Sequence, residues 1–126
     1  MTRTVINTPD APAPIGPYNQ AILVGETLYV SGQIAIVPGS DQMATEDIGT
    51  ETHQVMKNLS AILKEAGMTF ANVVKCSIFV NDMGNFGAVN EVYGSYFSEI
   101  PPARETVEVA ALPKFVNVEI SCIAVK

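Results

Sequence analysis

From about Asp47 to Ala66 the residues Val55, Met56, Leu59, Ile62, Leu63 and Ala66 recur at helical spacing, and Gly67 follows as a terminator. The next apolar run, Val73-Val74-Lys75-Cys76-Ser77-Ile78-Phe79-Val80, is instead rich in β-branched and aromatic residues and reads as a central strand. A long amphipathic helix feeding directly into such a strand buries its stripe most simply against a sheet, which makes the chain α+β. The other segments agree. Residues 20–24 and 27–31 flank Gly25-Glu26, a pair suited to a two-residue type II′ hairpin. Asn81-Asp82 offers an N-cap for a second helix with the stripe Phe86, Val89, Tyr93, Tyr96 and Phe97, ended by Pro101-Pro102. Two last strands are expected at about 104–110 and 117–125, joined through Leu112-Pro113-Lys114-Phe115. The predicted order is ββαβαββ, with a short extra strand available at 2–6, in a mixed sheet with both helices on one face.

At 126 residues the chain is expected to form one domain, 1–126, with no room for a second core. Its formal charge of −6, with seven basic residues scattered along the chain, argues against a surface that tracks nucleic-acid phosphates. No apolar run approaches the roughly 20 residues that span a bilayer, so a cytoplasmic protein without a membrane partner is the expectation. Cys76 and Cys122 both fall in strand-like runs, where a thiol behaves as a small buried hydrophobe; neither has a neighbour that would lower its pKa.

The alternation in the last two strands groups the polar residues. Val107 and Val109 point to one side and Arg104, Thr106 and Glu108 to the other; Val118, Ile120, Cys122 and Ala124 oppose Glu119 and Ser121. If both apolar sides cover the helices, Arg104, Thr106 and Glu119 share the remaining face. Tyr29, Phe79, Ile123 and Val125 fall on that face as well. Covering them requires further copies of the chain, so a closed homo-oligomer with clefts at its seams is expected. Arg104 is the only arginine besides Arg3. On the residues alone it is either an anion-binding group or an ion-pair partner of Glu105, Glu108 or Glu119.

Several stretches together resemble one family: Ile15-Gly16-Pro17-Tyr18-Asn19-Gln20-Ala21, Tyr29-Val30-Ser31-Gly32-Gln33-Ile34, Asn58-Leu59 with Ile62-Leu63, Val80-Asn81-Asp82-Met83, Pro102-Ala103-Arg104, and Val107 to Pro113 continuing to Val118-Glu119-Ile120. In order and spacing they are similar to the Rid (RidA/YjgF) reactive intermediate deaminases over essentially the whole chain. The resemblance implies a homotrimer of chorismate-mutase-like fold with active clefts between subunits, and no cofactor. It implies hydrolysis of 2-imino acids such as 2-aminoacrylate and 2-iminobutanoate to 2-keto acids and ammonia.

Arg104 then matches the family residue that grips the substrate carboxylate through two parallel charge-assisted hydrogen bonds, a task that lysine cannot reproduce. Glu119 matches the glutamate that orients and deprotonates the attacking water. Tyr18 resembles the tyrosine that covers the substrate. Thr106 lies where backbone groups hold it; its hydroxyl is either a further contact or an ordinary strand residue. Ser31, Gly32 and Asn90 match lesser substrate-binding positions, although turn formation and helix-surface exposure explain them nearly as well. His53 reads as an exposed residue, and no His/Cys/Asp spacing suggests a metal site. Ala35 and Ser121 depart from the family's usual residues, which bears on substrate preference rather than on reaction class. Two other functions compete: binding or regulation by small metabolites without turnover, and an endoribonuclease-type translation inhibitor.

Overall fold

The computed structural model describes residues 2–126. Strands β1 (Arg3–Ile6), β2 (Ala21–Val24) and β3 (Thr27–Gln33) precede helix α1 (Ile48–Glu65), strand β4 (Val73–Val80), helix α2 (Phe86–Gly94), and strands β5 (Ala103–Glu108) and β6 (Val118–Val125). They form one six-stranded sheet in the order β1-β2-β3-β6-β4-β5. Every strand pair is antiparallel except β4 with β5, the pair joined through α2.

Local chemistry accounts for the expected elements. Gly25, at φ 59°, supplies the positive angle that the tight β2–β3 turn needs, and the hairpin forms where the sequence puts it. Asp47 caps α1 by accepting from the Thr50 backbone N–H, and Gly67, at φ 74°, ends it. The stripe Val55, Met56, Leu59, Ile62 and Leu63 is fully buried against Leu28, Ile78, Val118, Ile120 and Ala124. Cutting Leu59 to alanine in such a core costs about 2–5 kcal/mol.

Two sequence expectations are corrected. Helix α2 stops at Gly94, well before Pro101. Glycine is a poor helix former, and the Ser95 hydroxyl donates to the Val92 carbonyl at the end of the helix. Tyr96 and Phe97 therefore lie beyond it and pack edge-on against Phe70, with ring centroids 5.4 Å apart in each pair. Asp82 caps a short 3-10 turn, Met83–Asn85, rather than α2 itself.

The second correction concerns β5. Arg104, Thr106 and Glu108 do share one side, but it is the helix side: Arg104 pairs in register with Cys76, Thr106 with Ile78 and Glu108 with Val80, all buried under the helices. Val107 turns to the open face and is 42% exposed. Alternation groups residues, whereas the partner strand decides which face a group takes. A second small apolar cluster on the open side, built from Ile34, Leu112 and Val116, packs against Phe79 and against Val109 just beyond β5. Tyr29, Phe79, Ile123 and Val125 do lie on the open face, where Tyr29 and Ile123 are cross-strand partners.

Buried polar side chains of α1 tie the ends of strands to this frame. The Glu51 carboxylate accepts from the Asn117 and Val118 backbone N–H groups and the Asn117 side chain; Asn58 donates to the carbonyls of Ile34 and Ile36. Such bonds leave no orphaned charge in the core.

Candidate active site

The residues singled out by sequence separate into two groups. Arg104, Thr106 and Asn90 lie on the helix side of edge strand β5. Tyr18, Ser31, Gly32 and Glu119 lie on or beside the open face. Because Glu119 pairs with Phe79 on that face, Arg104 and Glu119 sit on opposite sides of the sheet, contrary to the shared face expected from alternation.

In the first group, the Arg104 guanidinium donates from Nη1 to Asn90 Oδ1 at 2.6 Å. Its central carbon lies 5.5 Å from the Phe86 ring centre and 5.1 Å from that of Tyr93. Residues 86, 90 and 93 recur along one stripe of α2, since positions three and four apart are neighbours on a helix. Among the described residues no carboxylate pairs with Arg104. Glu105 instead binds Lys75 at 2.9 Å and the Ser77 hydroxyl. Glu108 accepts from the Met83 N–H at 2.7 Å. The ion-pair reading of Arg104 therefore fails within the chain, and a partly buried cation is left with donors free. Thr106 contributes a buried hydroxyl with no hydrogen-bond partner.

The second group is shaped by an irregularity in β3. Val30 pairs with Cys122 and Gln33 with Ile120, so β3 carries one residue more than β6 between these points. Bulges of this kind re-aim neighbouring groups, and here Gly32 comes to lie beneath the Glu119 side chain. A Cβ on Gly32 would stand 2.6 Å from Glu119 Oε2, so glycine makes the space that the carboxylate occupies. Half-burial pushes the Glu119 carboxyl above its ordinary pKa, since desolvation disfavours the charged form. Glu119, Tyr18, Gly32, Gln33, Ile34 and Pro113 line a small cleft of about 50 Å³. The Tyr18 hydroxyl accepts from the Ile15 N–H at 3.2 Å, which holds the half-exposed ring over the cleft. The Ser31 hydroxyl donates to the Asn19 carbonyl at 2.6 Å.

Other reactive groups are inert. Cys76 and Cys122 face each other across β4 and β6 as free, buried thiols; burial raises both, Cys122 to about 12. Neither is a nucleophile near neutral pH. His53 is exposed, its Nδ1 2.9 Å from the Tyr96 hydroxyl. Among the described residues no cluster of His, Cys, Asp and Glu could hold a metal ion, and no helix is long and apolar enough to cross a membrane.

A family profile described as Endoribonuclease L-PSP matches residues 8–126, and it covers the Rid, or YjgF, proteins. The chain belongs to the Rid family. It is 50% identical over 126 residues to the rat 2-iminobutanoate/2-iminopropanoate deaminase, covering all of this chain and 92% of that one. Among solved structures it resembles a Yersinia pestis protein of the conserved Rid family, YyfA, with a TM-score of 0.96 and 47% identity, covering 99% of this chain and 100% of that one. It also resembles Escherichia coli TdcF with bound serine, with a TM-score of 0.94, 35% identity and 98% of both chains covered. The sheet and its two helices thus form the chorismate-mutase-like fold of Rid proteins.

Within this Rid chain, sequence reasoning treated Phe86 and Tyr93 as an apolar stripe and missed their place against Arg104. The signal was present: an asparagine interrupts the stripe at 90, at the spacing that aligns it with both rings.

Proposed function

We infer that the protein hydrolyses reactive 2-imino acids, such as 2-aminoacrylate and 2-iminobutanoate, to 2-keto acids and ammonia, at sites completed between copies of the chain. The observation that carries this reading is the Arg104 guanidinium, held by Asn90 and two rings with no carboxylate of its own. A 2-imino acid supplies the missing anion, and its carboxylate matches the fork of donors. The deaminase activity in the name of the rat relative is consistent with this chemistry.

Arg104 and Glu119 lie on opposite faces of one sheet, so a single chain does not present both to one small molecule. Two copies do so if the β5 edge of one meets the open face of the next. Repeating that contact around a threefold axis closes a trimer and covers Tyr29, Val107 and Ile123. In the cleft, Glu119 accepts a proton from water as its oxygen bonds to the imine carbon. Glu119 returns that proton to the carbinolamine nitrogen; the C–N bond then breaks with its electron pair going to nitrogen while the hydroxyl proton passes to Glu119, which hands it to the departing ammonia as the keto C=O forms. A protonated imine is already electrophilic, so positioning supplies most of what the reaction needs. Substrate contacts from Tyr18, Gly32, Thr106 and Asn90 belong to this reading; Ser31 contributes through its backbone. The two free thiols suit a cytoplasmic setting for the trimer.

Metabolite binding without turnover is the competing reading, and it has a specific support in TdcF, a protein of the same fold solved with serine bound. The acidic charge of −6 disfavours the ribonuclease reading, because RNA phosphates require cationic partners. Mixing the Arg104→Ala and Glu119→Gln proteins, with dissociation and reassembly and at substrate concentrations far below the KM of Arg104→Ala, tests the central claim. Randomly mixed closed rings contain about one quarter intact composite sites and recover about one quarter of wild-type ammonia release. Recovery of none, in rings shown to be mixed, rejects the shared site; keto-acid binding without ammonia release above the spontaneous rate favours the binding reading.

A further inference from the structure

Phe86 and Tyr93 stand in an unusual relation to Arg104. Tyr93 is 5% exposed, yet its hydroxyl has no hydrogen-bond partner and sits beside the buried Cys76 thiol. Burial raises its pKa well above the ordinary range, so it remains neutral and offers Arg104 a ring rather than a charge. Phe86 is 39% exposed at the start of α2, a poor position for a residue whose only task is to fill a core. Both rings lie within cation–π distance of the same guanidinium, and Asn90 between them takes one of its N–H groups.

We propose that Phe86 and Tyr93 are positioning residues for carboxylate recognition: one rim ring and one buried ring, with Asn90, fix the plane of the Arg104 guanidinium. This rests on the reading of Arg104 as the carboxylate binder. An arginine on an exposed edge strand samples many rotamers, and each must be given up when it binds an anion in fork geometry. Rings on the guanidinium hold it without neutralising it, whereas a carboxylate in their place would compete with the substrate. Because the carboxylate takes no part in bond making, the rings serve ground state and transition state alike. They therefore lower KM and leave kcat nearly unchanged.

The test uses Phe86→Leu, a rim substitution that leaves the buried core intact, and Tyr93→Leu with Tyr93→Phe as its rescue. For Phe86→Leu, KM for a freshly generated 2-imino acid and Kd for pyruvate, used as a short 2-keto acid, rise together by about 5- to 30-fold, with kcat within about twofold. Tyr93→Phe, which keeps the ring, restores the binding that Tyr93→Leu loses. In an Arg104→Ala background Phe86→Leu has no further effect on Kd; a full, additive loss there overturns the proposal, because the ring would then act on the ligand directly. A second readout does not depend on turnover. With only two arginines in the chain, isotope-labelled arginine gives two resolvable Nε–H signals. Ring currents displace that of Arg104, and Phe86→Leu moves it towards the position of Arg3. An unmoved signal refutes the clamp whatever the kinetics show. A moved signal, with Arg104→Ala turning over imine at the wild-type rate, leaves the clamp standing and rejects the proposed function instead.

Discussion

The two groups of site residues handle charge in opposite ways. Around Arg104, two aromatic rings and an amide oxygen hold the guanidinium without a counter-ion and leave donors available, so this half is ready for an anion before one arrives. Around Glu119, the glycine bulge draws a carboxylate into a half-buried cleft and among the described residues gives it no side-chain hydrogen bond, so its charged form is disfavoured. A cation stabilised without a counter-ion binds. An anion held in discomfort takes up a proton. In the proposed function, binding and proton transfer are therefore divided between two faces of one sheet, and assembly of copies brings them together.

That contrast can be broken most sharply at Arg104. Arg104→Ala is expected to lower kcat/KM for imine hydrolysis by about 10²- to 10³-fold, mostly through KM, since truncating one member of a bound charge pair costs roughly 3–4 kcal/mol. Steady-state ammonia release, corrected for spontaneous decay, measures it; an unchanged KM would mean that the carboxylate is held elsewhere.

Next in size is Gly32→Ala, whose added methyl meets Glu119 Oε2 at 2.6 Å. The carboxylate must shift, and a displacement on the order of 1 Å costs about 10²-fold in kcat. Pyruvate affinity should fall by less than kcat, because the Arg104 fork that grips the carboxylate lies on the other face and is untouched. An equal loss in both quantities would erase the division between the halves.

Glu51→Gln addresses the frame rather than either half. Its carboxylate accepts three hydrogen bonds at the start of β6, directly before Glu119. Replacing it should lower stability by about 1–3 kcal/mol, read from urea unfolding. The loss in kcat should exceed the loss in pyruvate affinity.

The smallest effect is a pH dependence. With its folded pKa above the unfolded value, Glu119 keeps a proton in the native chain at pH values where the unfolded chain has released it. Stability therefore falls as pH rises from the ordinary carboxylate range through the raised pKa. Urea midpoints across that range should show the slope in the wild type and a flatter profile in Glu119→Gln. Identical profiles would remove the argument that burial strains this carboxylate.

The elements with strong local signals were legible before the fold was known. Gly25 marked the hairpin, Gly67 the end of α1, and the run from Val73 to Val80 an interior strand, because turn angles and apolar periods act within a few residues. The motif residues were legible too, but their grouping was not. Phe86 and Tyr93 looked like core residues because a stripe looks the same whether it covers a sheet or an arginine.

The sequence by itself determined the number and kind of elements, the sharing of one side by Arg104 and Thr106, and membership in the Rid family. Only the tertiary structure decided that this side lies under the helices while Glu119 faces the open surface. The physical reason is that a strand's alternation has period two and is symmetric about its own plane. Which half becomes the inside is set by the parallel register of β5 on β4, which sets Arg104, Thr106 and Glu108 beside Cys76, Ile78 and Val80, contacts made between residues far apart along the chain.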